Sequence, residues 1–229
     1  MKKEKIVVLS GAGVSAESGL KTFRGNNGLW EGYRVEEVAT PEAWQANPSI
    51  VQEFYNHRRK ACKEAEPNGA HLAIANLEKN YEVIVITQNV DDLHERAGSS
   101  FVLHLHGELM KSRSTVDAKL VYPIKGDRIE MGELCEKGSQ LRPHIVWFGE
   151  SVPLMEQAIH LIRDADIILV IGTSLMVYPA AGLMHYAPNE SRLYLIDPNA
   201  MEYDVPNGTV RINEKAVKGM KILLEMLTK

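Results

Sequence analysis

The chain contains little cysteine, since Cys62 and Cys135 are the only two among its 229 residues. Two cysteines form at most one disulfide, so the sequence excludes a disulfide framework and a metal site built from four cysteines. It also lacks an apolar run near the roughly 18 residues that a membrane-spanning helix needs. The apolar run behind the basic start, residues 6–9, is too short for a secretory signal. We therefore expect a reduced, soluble, cytoplasmic protein that makes no membrane contact.

The net charge is small and negative, with 26 Lys and Arg against 30 Asp and Glu, or −4. A weakly acidic chain has no broad electrostatic attraction for nucleic acid, so we expect no direct nucleic-acid binding. Hydrophobic residues make up 45% and charged residues 24%, which is typical of a globular protein. The length suits one large domain, or one domain with a small insertion.

Short apolar runs without alternation recur along the chain and predict strands that are covered on both faces, as in a parallel sheet. These runs are residues 6–9, 83–86, 167–171 and 193–196. Helical patterns lie between or after them, at residues 70–79, 154–163 and 214–227. The alternation of strand and helix predicts an α/β fold with a doubly wound, Rossmann-like parallel sheet.

Two polar stretches interrupt this alternation. They are residues 32–66, which hold a charged helical segment near residues 49–66, and residues 110–142. We predict that both are insertions that form a smaller second lobe. The larger lobe then comprises residues 1–31, 67–109 and 143–229. A cleft between two lobes is the default position for a ligand site.

A glycine-rich turn, Gly11-Ala12-Gly13-Val14-Ser15, directly follows the first predicted strand. Glycines here allow a pyrophosphate to approach the backbone at the start of the next helix, although ordinary strand–helix turns also contain Gly-x-Gly. The usual dinucleotide fingerprint continues into a second strand that ends in an acid about 20 residues on. Residues 23–30 form a loop at that place instead. A standard hydride-transferring dehydrogenase therefore fits poorly.

Polar residues stand just past the predicted strand at residues 83–86, where α/β sheets bind ligands. Among them are Gln88, Asn89 and Asp91, which suit either ligand binding or the pairing of local backbone groups. His104 and His106 follow with a spacing of two, which on a strand places both side chains on one face. A metal pair is conceivable, but no carboxylate-rich motif accompanies them, so we expect one of the two to be structural.

Several further motifs follow the glycine-rich turn in order. They are Phe23-Arg24, Thr87-Gln88-Asn89-Val90-Asp91, His104-Leu105-His106-Gly107-Glu108-Leu109, Leu141-Arg142-Pro143-His144-Ile145-Val146-Trp147-Phe148-Gly149-Glu150 and Gly172-Thr173-Ser174. Together with the turn, this set resembles the motifs of the sirtuins, which are NAD-dependent protein-lysine deacylases. Independent motifs at compatible spacings over residues 10–174 make the resemblance far more specific than a lone Gly-x-Gly.

The resemblance implies that NAD is consumed as a co-substrate at the carboxyl ends of the strands. It assigns cofactor contacts to Gly11, Ala12, Gly13, Ser15, Phe23, Arg24, Gln88, Asn89, Asp91, Gly172, Thr173, Ser174, Asn199 and Ala216. Gln88 and Asn89 then contact the ribose, Asn89 also orders water, and Asp91 lies near the nicotinamide amide. Phe23 shields the reacting intermediate from returning nicotinamide.

The resemblance also implies that His106 is the catalytic base, with Asn89 as the second catalytic residue. An imidazole suits this role because its ordinary pKa lies near working pH, and we expect the following glycine to let the substrate approach without obstruction. The implied products are nicotinamide, free lysine and 2′-O-acyl-ADP-ribose. The acylated protein or peptide binds by strand addition to Val146, Trp147 and Phe148.

Tyr55 and Arg58 are three residues apart in the predicted helix, so they share a face. A phenol and a guanidinium can bind a carboxylate together, whereas the alternative is a solvated basic face. The Tyr-x-x-Arg pair resembles that of sirtuins that accept succinyl- and malonyl-lysine, which implies an acidic-acyl pocket. Arg59 is the rival partner if the helix register differs.

Most sirtuins hold the smaller lobe with a zinc ion on four cysteines, and this chain departs from that pattern. Cys135 is the only cysteine between the His-Gly and Arg-Pro motifs, and no histidine lies there. A structural zinc site needs four nitrogen or sulfur ligands, so we predict no zinc. The lobe then depends on β pairing and on apolar packing of Leu120, Val121, Tyr122, Ile124, Ile129 and Leu134.

Two other functions suit the same scaffold. ADP-ribosyl transfer or NAD hydrolysis follows if a protein group or water, rather than an acyl oxygen, captures the ribose carbon. An NAD-sensing module binds NAD without releasing nicotinamide. The presence of His106 favours deacylation over the first without excluding it, and the complete set of reactive motifs argues against the second.

Overall fold

A computed structural model describes residues 2–21, 29–30 and 32–228, with Leu29 described in its backbone only. Its strands are β1 (Lys5–Ser10), β2 (Leu29–Trp30), β3 (Tyr33–Arg34), β4 (Glu82–Thr87), β5 (Val102–His104), β6 (Gly107–Ser114), β7 (Val121–Pro123), β8 (Leu141–Ile145), β9 (Ile167–Ile171), β10 (Arg192–Ile196) and β11 (Val210–Ile212). Its α-helices are α1 (Gly13–Ala16), α2 (Val35–Val38), α3 (Pro41–Ala46), α4 (Pro48–Glu64), α5 (Gly69–Leu77), α6 (Leu93–Arg96), α7 (Met155–Ile162) and α8 (Ala216–Leu227). Two 3-10 helices span Ala180–Tyr186 and Ala200–Glu202.

The central sheet has six parallel strands in the order β11-β10-β9-β1-β4-β5. The apolar sequence of β1 suits its central position, where all six residues are buried. The chain builds outward from β1 through β4 and β5, then restarts at β9 on the opposite side of β1. This reversal creates a switch point at the carboxyl ends of β1 and β9. The predicted doubly wound sheet is confirmed, and four predicted strands correspond to β1, β4, β9 and β10.

Helices cover both faces of this sheet, as the strand–helix alternation predicts. On one face, Ile74 of α5 and Met220 of α8 are fully buried in the core. On the other face, Ile162 of α7 packs with Leu183 of the first 3-10 helix. The predicted helices at residues 70–79, 154–163 and 214–227 correspond to α5, α7 and α8. Each helix buries one apolar stripe against the sheet, which explains why its apolar residues recur every three to four positions.

A second, antiparallel sheet has three strands in the order β7-β6-β8, and α4 packs against it. Phe54 of α4 joins Leu109 and Trp147 in a third apolar cluster. The start of α4 is encoded locally. Asn47 accepts a hydrogen bond from the amide three residues on, and Pro48 occupies the first turn.

Buried polar side chains attach the segment between β7 and β8 to α4, which differs from the predicted apolar packing. Of the six apolar residues expected to pack, Ile129 alone is buried, and Leu134 is 57% exposed. The Asn56 amide donates to the Ile129 carbonyl at 3.1 Å and accepts from its amide at 3.0 Å. Arg59 donates to the Asp127 carbonyl at 3.1 Å. Hydrogen bonds therefore replace much of the expected apolar contact.

The division into two lobes remains a prediction. In the structure β6 begins at Gly107 and β8 ends at Ile145, so both strands cross its boundaries at residues 109 and 143. Among the described residues, no helix has the length and apolar character needed to span a bilayer.

Candidate active site

The glycine-rich turn lies at the switch point of the sheet and contacts the end of β9. The Gly13 amide donates to the Gly172 carbonyl at 2.7 Å, and the Gly11 amide donates to the Ile171 carbonyl at 3.1 Å. A Cβ on Gly13 would lie 2.8 Å from the Gly172 Cα. Gly172 has a φ of +61°, and a Cβ there would collide with the Val14 amide nitrogen. The backbones of the two loops are therefore in direct contact. This contact requires glycine in addition to any need to make room for a pyrophosphate.

A cavity of about 790 Å³ is lined by this turn, by α4 and by the segment after β8. Every predicted site residue that the structure describes lines it. These residues are Gly11, Ala12, Gly13, Ser15, Tyr55, Arg58, Gln88, Asn89, Asp91, His106, Val146, Trp147, Phe148, Gly172, Thr173, Ser174, Asn199 and Ala216. Phe23 and Arg24, which complete the predicted cofactor set, lie outside the described residues. Motifs that are far apart in sequence thus share one cavity.

Ser15 connects the two polar residues that follow β4. The Asn89 side-chain amide donates to the Ser15 hydroxyl at 3.2 Å, and that hydroxyl donates to Asp91 at 3.1 Å. The second Asp91 oxygen accepts from the Leu93 amide at 3.2 Å. Burial raises the pKa of Asp91 despite these bonds. The network fixes Asn89 and Asp91 in the cavity wall.

Gln88 connects the loops that follow β4 and β9, the two strands on either side of β1. Its side-chain amide donates to the Thr173 hydroxyl at 3.2 Å, so the end of β4 is bonded to the loop after β9. The Thr173 hydroxyl also accepts from the Leu175 amide at 3.2 Å. These bonds present amide and hydroxyl groups side by side, which suits a ligand rich in hydroxyl and phosphate oxygens.

His106 lies in the turn between β5 and β6 with its ring in the cavity wall. Its Nδ1 is 3.1 Å from the Gln88 carbonyl oxygen. A carbonyl only accepts, so Nδ1 carries the hydrogen and Nε2 of the neutral ring is left to accept a proton. Burial lowers the pKa of His106 and outweighs the opposing effect of that bond. The residue is therefore arranged as a base.

His104 has a different environment, so the two histidines do not share one strand face. β5 ends at His104, and its Nε2 lies 2.7 Å from Glu95 while its Nδ1 lies 2.9 Å from the Asn89 carbonyl. Burial opposes the charged form, but the bond to Glu95 outweighs it and raises the pKa of His104. The buried His104 ring thus bonds to the exposed Glu95 and to the backbone, which gives it a structural environment that His106 does not share.

Gly107 is explained by strand pairing, which corrects the expectation that it clears a path for the substrate. Its φ is +84°, and a Cβ at this position would collide with the His144 carbonyl of β8. Gly107 pairs with Ile145 in the antiparallel sheet. A side chain here would separate the two strands rather than obstruct a ligand.

The segment that was expected to pair with a peptide has its amides already bonded. β8 ends at Ile145, after which the Val146 amide donates to the His106 carbonyl at 2.9 Å. The Trp147 amide donates to Glu150 at 2.8 Å, and the Phe148 amide donates to the Ala39 carbonyl at 3.0 Å. Strand addition through these three N–H groups is therefore not supported, although all three residues line the cavity.

Tyr55 and Arg58 both face the cavity from α4, as their spacing predicts. Tyr55 is buried, and its hydroxyl accepts a hydrogen bond from Trp147 Nε1 at 3.1 Å. Burial raises the pKa of the Tyr55 phenol, so it stays neutral. The Arg58 guanidinium carbon lies 4.2 Å from the centroid of the Trp30 ring.

Arg59, the rival of Arg58, has a structural environment. It is fully buried and donates to the Leu109 carbonyl at 2.7 Å and to Asn56 at 2.8 Å. It is not among the residues that line the cavity. The helix register therefore favours Arg58.

Some cavity residues were not predicted. Trp30 lines the wall beside Arg58, and Met176 and Tyr178 form an exposed rim after β9. The buried ring of His71 approaches the Ser15 hydroxyl to 3.4 Å from behind the wall. The only sequence signal for these residues was their closeness to a motif or a glycine, which is too weak to assign a site.

Metal ligands do not gather in the described part of the chain, where no group of three or more His, Cys, Asp or Glu could hold a metal ion. Cys62 is buried in α4, and Cys135 is bonded to the Ser114 and Ser139 hydroxyls. The absence of zinc remains a prediction from the sequence.

Sequence comparison shows which known proteins this chain is similar to. A family model described as the Sir2 family matches residues 11–179. An NAD-dependent protein deacylase of Helicobacter pylori is 54% identical over 224 residues, covering 98% of this chain and 97% of the relative. An NAD-dependent protein deacylase of Aggregatibacter actinomycetemcomitans is 58% identical over 193 residues, covering 84% of this chain and 92% of the relative.

Solved structures agree with these sequence relatives. A Sir2 homologue in complex with NAD has a TM-score of 0.86 and 40% identity, covering 99% of this chain and 90% of the other. A mutant Sir2 homologue in complex with ADP-ribose has a TM-score of 0.88 and 40% identity, covering 99% of this chain and 92% of the other. From the matched residues, the fold and the identities, the chain belongs to the Sir2 family, the sirtuins.

Proposed function

We propose that this chain removes acetyl groups and acidic acyl groups, such as succinyl and malonyl, from protein lysines with NAD as co-substrate. That it is an NAD-dependent protein deacylase follows from its family and from relatives of that name at 50–58% identity. The acceptance of acidic acyl groups is the further step. The observation that carries it is the position of Tyr55 and Arg58 in the same cavity as His106.

The cavity wall suits NAD by its chemistry and size. The turn at Gly11 and Gly13 lets a phosphate approach the backbone closely, and the hydroxyls of Thr173 and Ser174 offer donors for it, whereas the two glycine amides are already bonded to carbonyls. The side-chain amide of Asn89 suits ribose hydroxyls. A volume of about 790 Å³ lies in the range of cofactor sites. When bound, NAD supplies an electrophilic ribose carbon from which nicotinamide departs.

We assign the general base to His106. The Gln88 carbonyl holds the hydrogen on Nδ1, so Nε2 is the atom that takes a proton from a ribose hydroxyl. Burial lowers the pKa of the ring, which keeps it in the accepting form at neutral pH. Asn89, held by Ser15, orients the ribose and water at the same wall. The expected products are nicotinamide, free lysine and 2′-O-acyl-ADP-ribose.

The acidic-acyl preference follows from the pairing of a neutral donor with a cation. Tyr55 offers a hydroxyl and Arg58 offers a guanidinium, a combination that binds a carboxylate and has no partner on an acetyl group. Hydrogen bonds to charged groups contribute about 1.5–3 kcal/mol. That range corresponds to roughly a ten- to hundredfold effect on recognition.

The test compares Arg58→Met with Lys60→Met, an exposed position on the same helix that serves as a matched charge control. Wild type and both variants receive acetyl- and succinyl-lysine peptides with NAD, and the products are read by mass spectrometry. We expect Arg58→Met to lower kcat/KM for the succinyl peptide by about ten- to a hundredfold, with a much smaller loss on the acetyl peptide. Equal losses on both peptides would contradict the role of Arg58.

Product mass also separates deacylation from the alternative activity. Acyl-ADP-ribose indicates deacylation, whereas plain ADP-ribose or a heavier protein indicates NAD hydrolysis or ADP-ribosyl transfer. The cofactor roles of Phe23 and Arg24 and the substrate contacts of Val146, Trp147 and Phe148 are part of the proposal. A cytoplasmic location and the absence of direct nucleic-acid binding stay predictions from the sequence.

A further inference from the structure

The Tyr55 hydroxyl accepts a hydrogen bond from a neighbouring indole. Trp147 Nε1 donates to it at 3.1 Å, and both residues are buried. A hydroxyl has one proton and two acceptor positions, so this bond leaves the proton to be donated. Within the part of the chain that the structure describes, no residue accepts that proton. Tyr55 lines the cavity, so the proton is available to a ligand that displaces solvent there.

Charged groups hold the Trp147 ring in place. The Arg142 guanidinium carbon lies 3.2 Å from the centroid of that ring. Glu150 accepts from Arg142 at 2.8 and 3.1 Å and from the Trp147 amide at 2.8 Å. Arg113 donates to the same carboxylate at 2.9 and 3.0 Å. A carboxylate that receives this many bonds fixes both the backbone and the ring of Trp147.

We propose that Trp147 is a positioning residue for acyl specificity, because its indole N–H holds the Tyr55 hydroxyl as a donor toward the carboxylate of the acyl group. This inference rests on the proposed acidic-acyl activity. Without the indole donor, the hydroxyl turns to other orientations and its proton is no longer directed at the ligand. Recognition of a succinyl group then suffers more than recognition of an acetyl group, which has no carboxylate.

The first test is Trp147→Phe, which keeps an aromatic ring and removes the N–H donor. Trp44→Phe is the matched control. The centroids of the Trp44 and Trp147 rings lie 5.7 Å apart in the same apolar cluster, but Trp44 does not line the cavity. We expect Trp147→Phe to lower the ratio of desuccinylation to deacetylation, measured as kcat/KM, by about three- to tenfold. The loss should fall mainly on KM, because the bond also forms with bound substrate. Trp44→Phe should leave the ratio unchanged.

A double-mutant cycle with Tyr55→Phe shows whether Trp147 acts through the hydroxyl. In the Tyr55→Phe background, Trp147→Phe should cause no further change in the ratio. Glu150→Gln weakens the contacts that hold the Trp147 ring but keeps the indole N–H. It should also lower the ratio of desuccinylation to deacetylation, and it replaces Trp147→Phe in the test if that variant does not fold. Multiplicative effects in the cycle, or an unchanged ratio in the folded single variants, overturn the inference.

The outcomes separate this inference from the proposed function. If wild type removes succinyl groups and Arg58→Met loses that activity, but Trp147→Phe keeps the wild-type ratio, the inference alone fails. If wild type does not remove succinyl groups, both fail. A ratio that falls in Trp147→Phe, with no further fall in the double variant, supports both.

Discussion

Asn56 is the residue through which α4 holds the backbone at Ile129, and its truncation tests how this region is stabilised. Asn56→Ala removes two bonds to that backbone, of 3.1 and 3.0 Å, and one acceptor of Arg59 at 2.8 Å. A neutral bond contributes about 0.5–1.5 kcal/mol and a charged one about 1.5–3 kcal/mol. Entry of water into the gap offsets part of this, so we expect the free energy of unfolding to fall by about 3 kcal/mol.

The assay is urea and thermal unfolding of purified protein. For a chain of this size, a loss of about 3 kcal/mol lowers Tm by roughly 6–12 °C. Gln52→Met is the control, one turn earlier on α4, where Gln52 is buried and neither side-chain polar atom has a hydrogen-bond partner among the described residues. We expect that control to be neutral or stabilising, since it removes an unsatisfied amide.

Two results would refute this reasoning. A loss below about 1 kcal/mol in Asn56→Ala would mean that the contacts with Ile129 contribute little. A large fall in wild-type Tm upon addition of a chelator would mean that a metal ion, rather than hydrogen bonds, stabilises the fold.

Two further predictions concern pH. The kcat/KM for an acetyl-lysine peptide should rise with pH through an acidic limb whose midpoint lies below the ordinary histidine value of about 6.5, because burial lowers the pKa of His106 and the base must be unprotonated; a midpoint above about 7 would argue against His106 as the base. Burial also lowers the pKa of His71 to about 4 and that of His94 to about 3. In the unfolded chain both histidines bind a proton near pH 6.5, whereas in the folded chain they do not. The free energy of unfolding should therefore fall as the pH is lowered from about 6.5 toward 4, by up to about 1.4 kcal/mol per pH unit for each histidine. Urea unfolding at a series of pH values measures this slope, which His94→Gln should reduce; a stability that does not change between pH 7 and 5 would contradict it.

Four strands of the central sheet were predictable because they are continuous apolar runs. β1, β4, β9 and β10 read as buried without any knowledge of their partners. β5 and β11 have only three residues each, so their apolar content does not distinguish them from loops. Their positions depend on pairing with β4 and β10, which is tertiary information.

The candidate site was predictable where residues follow a strand, and less so where long-range contacts decide. Gln88 and Asn89 reach the cavity because parallel strands end at one edge of the sheet. The separation of His104 from His106 depends on where β5 ends, which spacing does not reveal. The bond from the Phe148 amide to the Ala39 carbonyl joins residues more than a hundred positions apart, so no local sequence pattern predicts it.

Helix α4 divides recognition and support between two of its faces. Tyr55 and Arg58 face the cavity, whereas Asn56 and Arg59 bond to backbone carbonyls on the other side. Adjacent residues of a helix differ by about 100° in direction, which allows this division within one turn. A substitution at position 58 therefore leaves the bonds of Asn56 and Arg59 intact, whereas one at position 55 also changes the buried contacts of the tyrosine ring. One helix thus carries the residues proposed to select the acyl group and, one position further along in each case, residues that bond it to the rest of the fold.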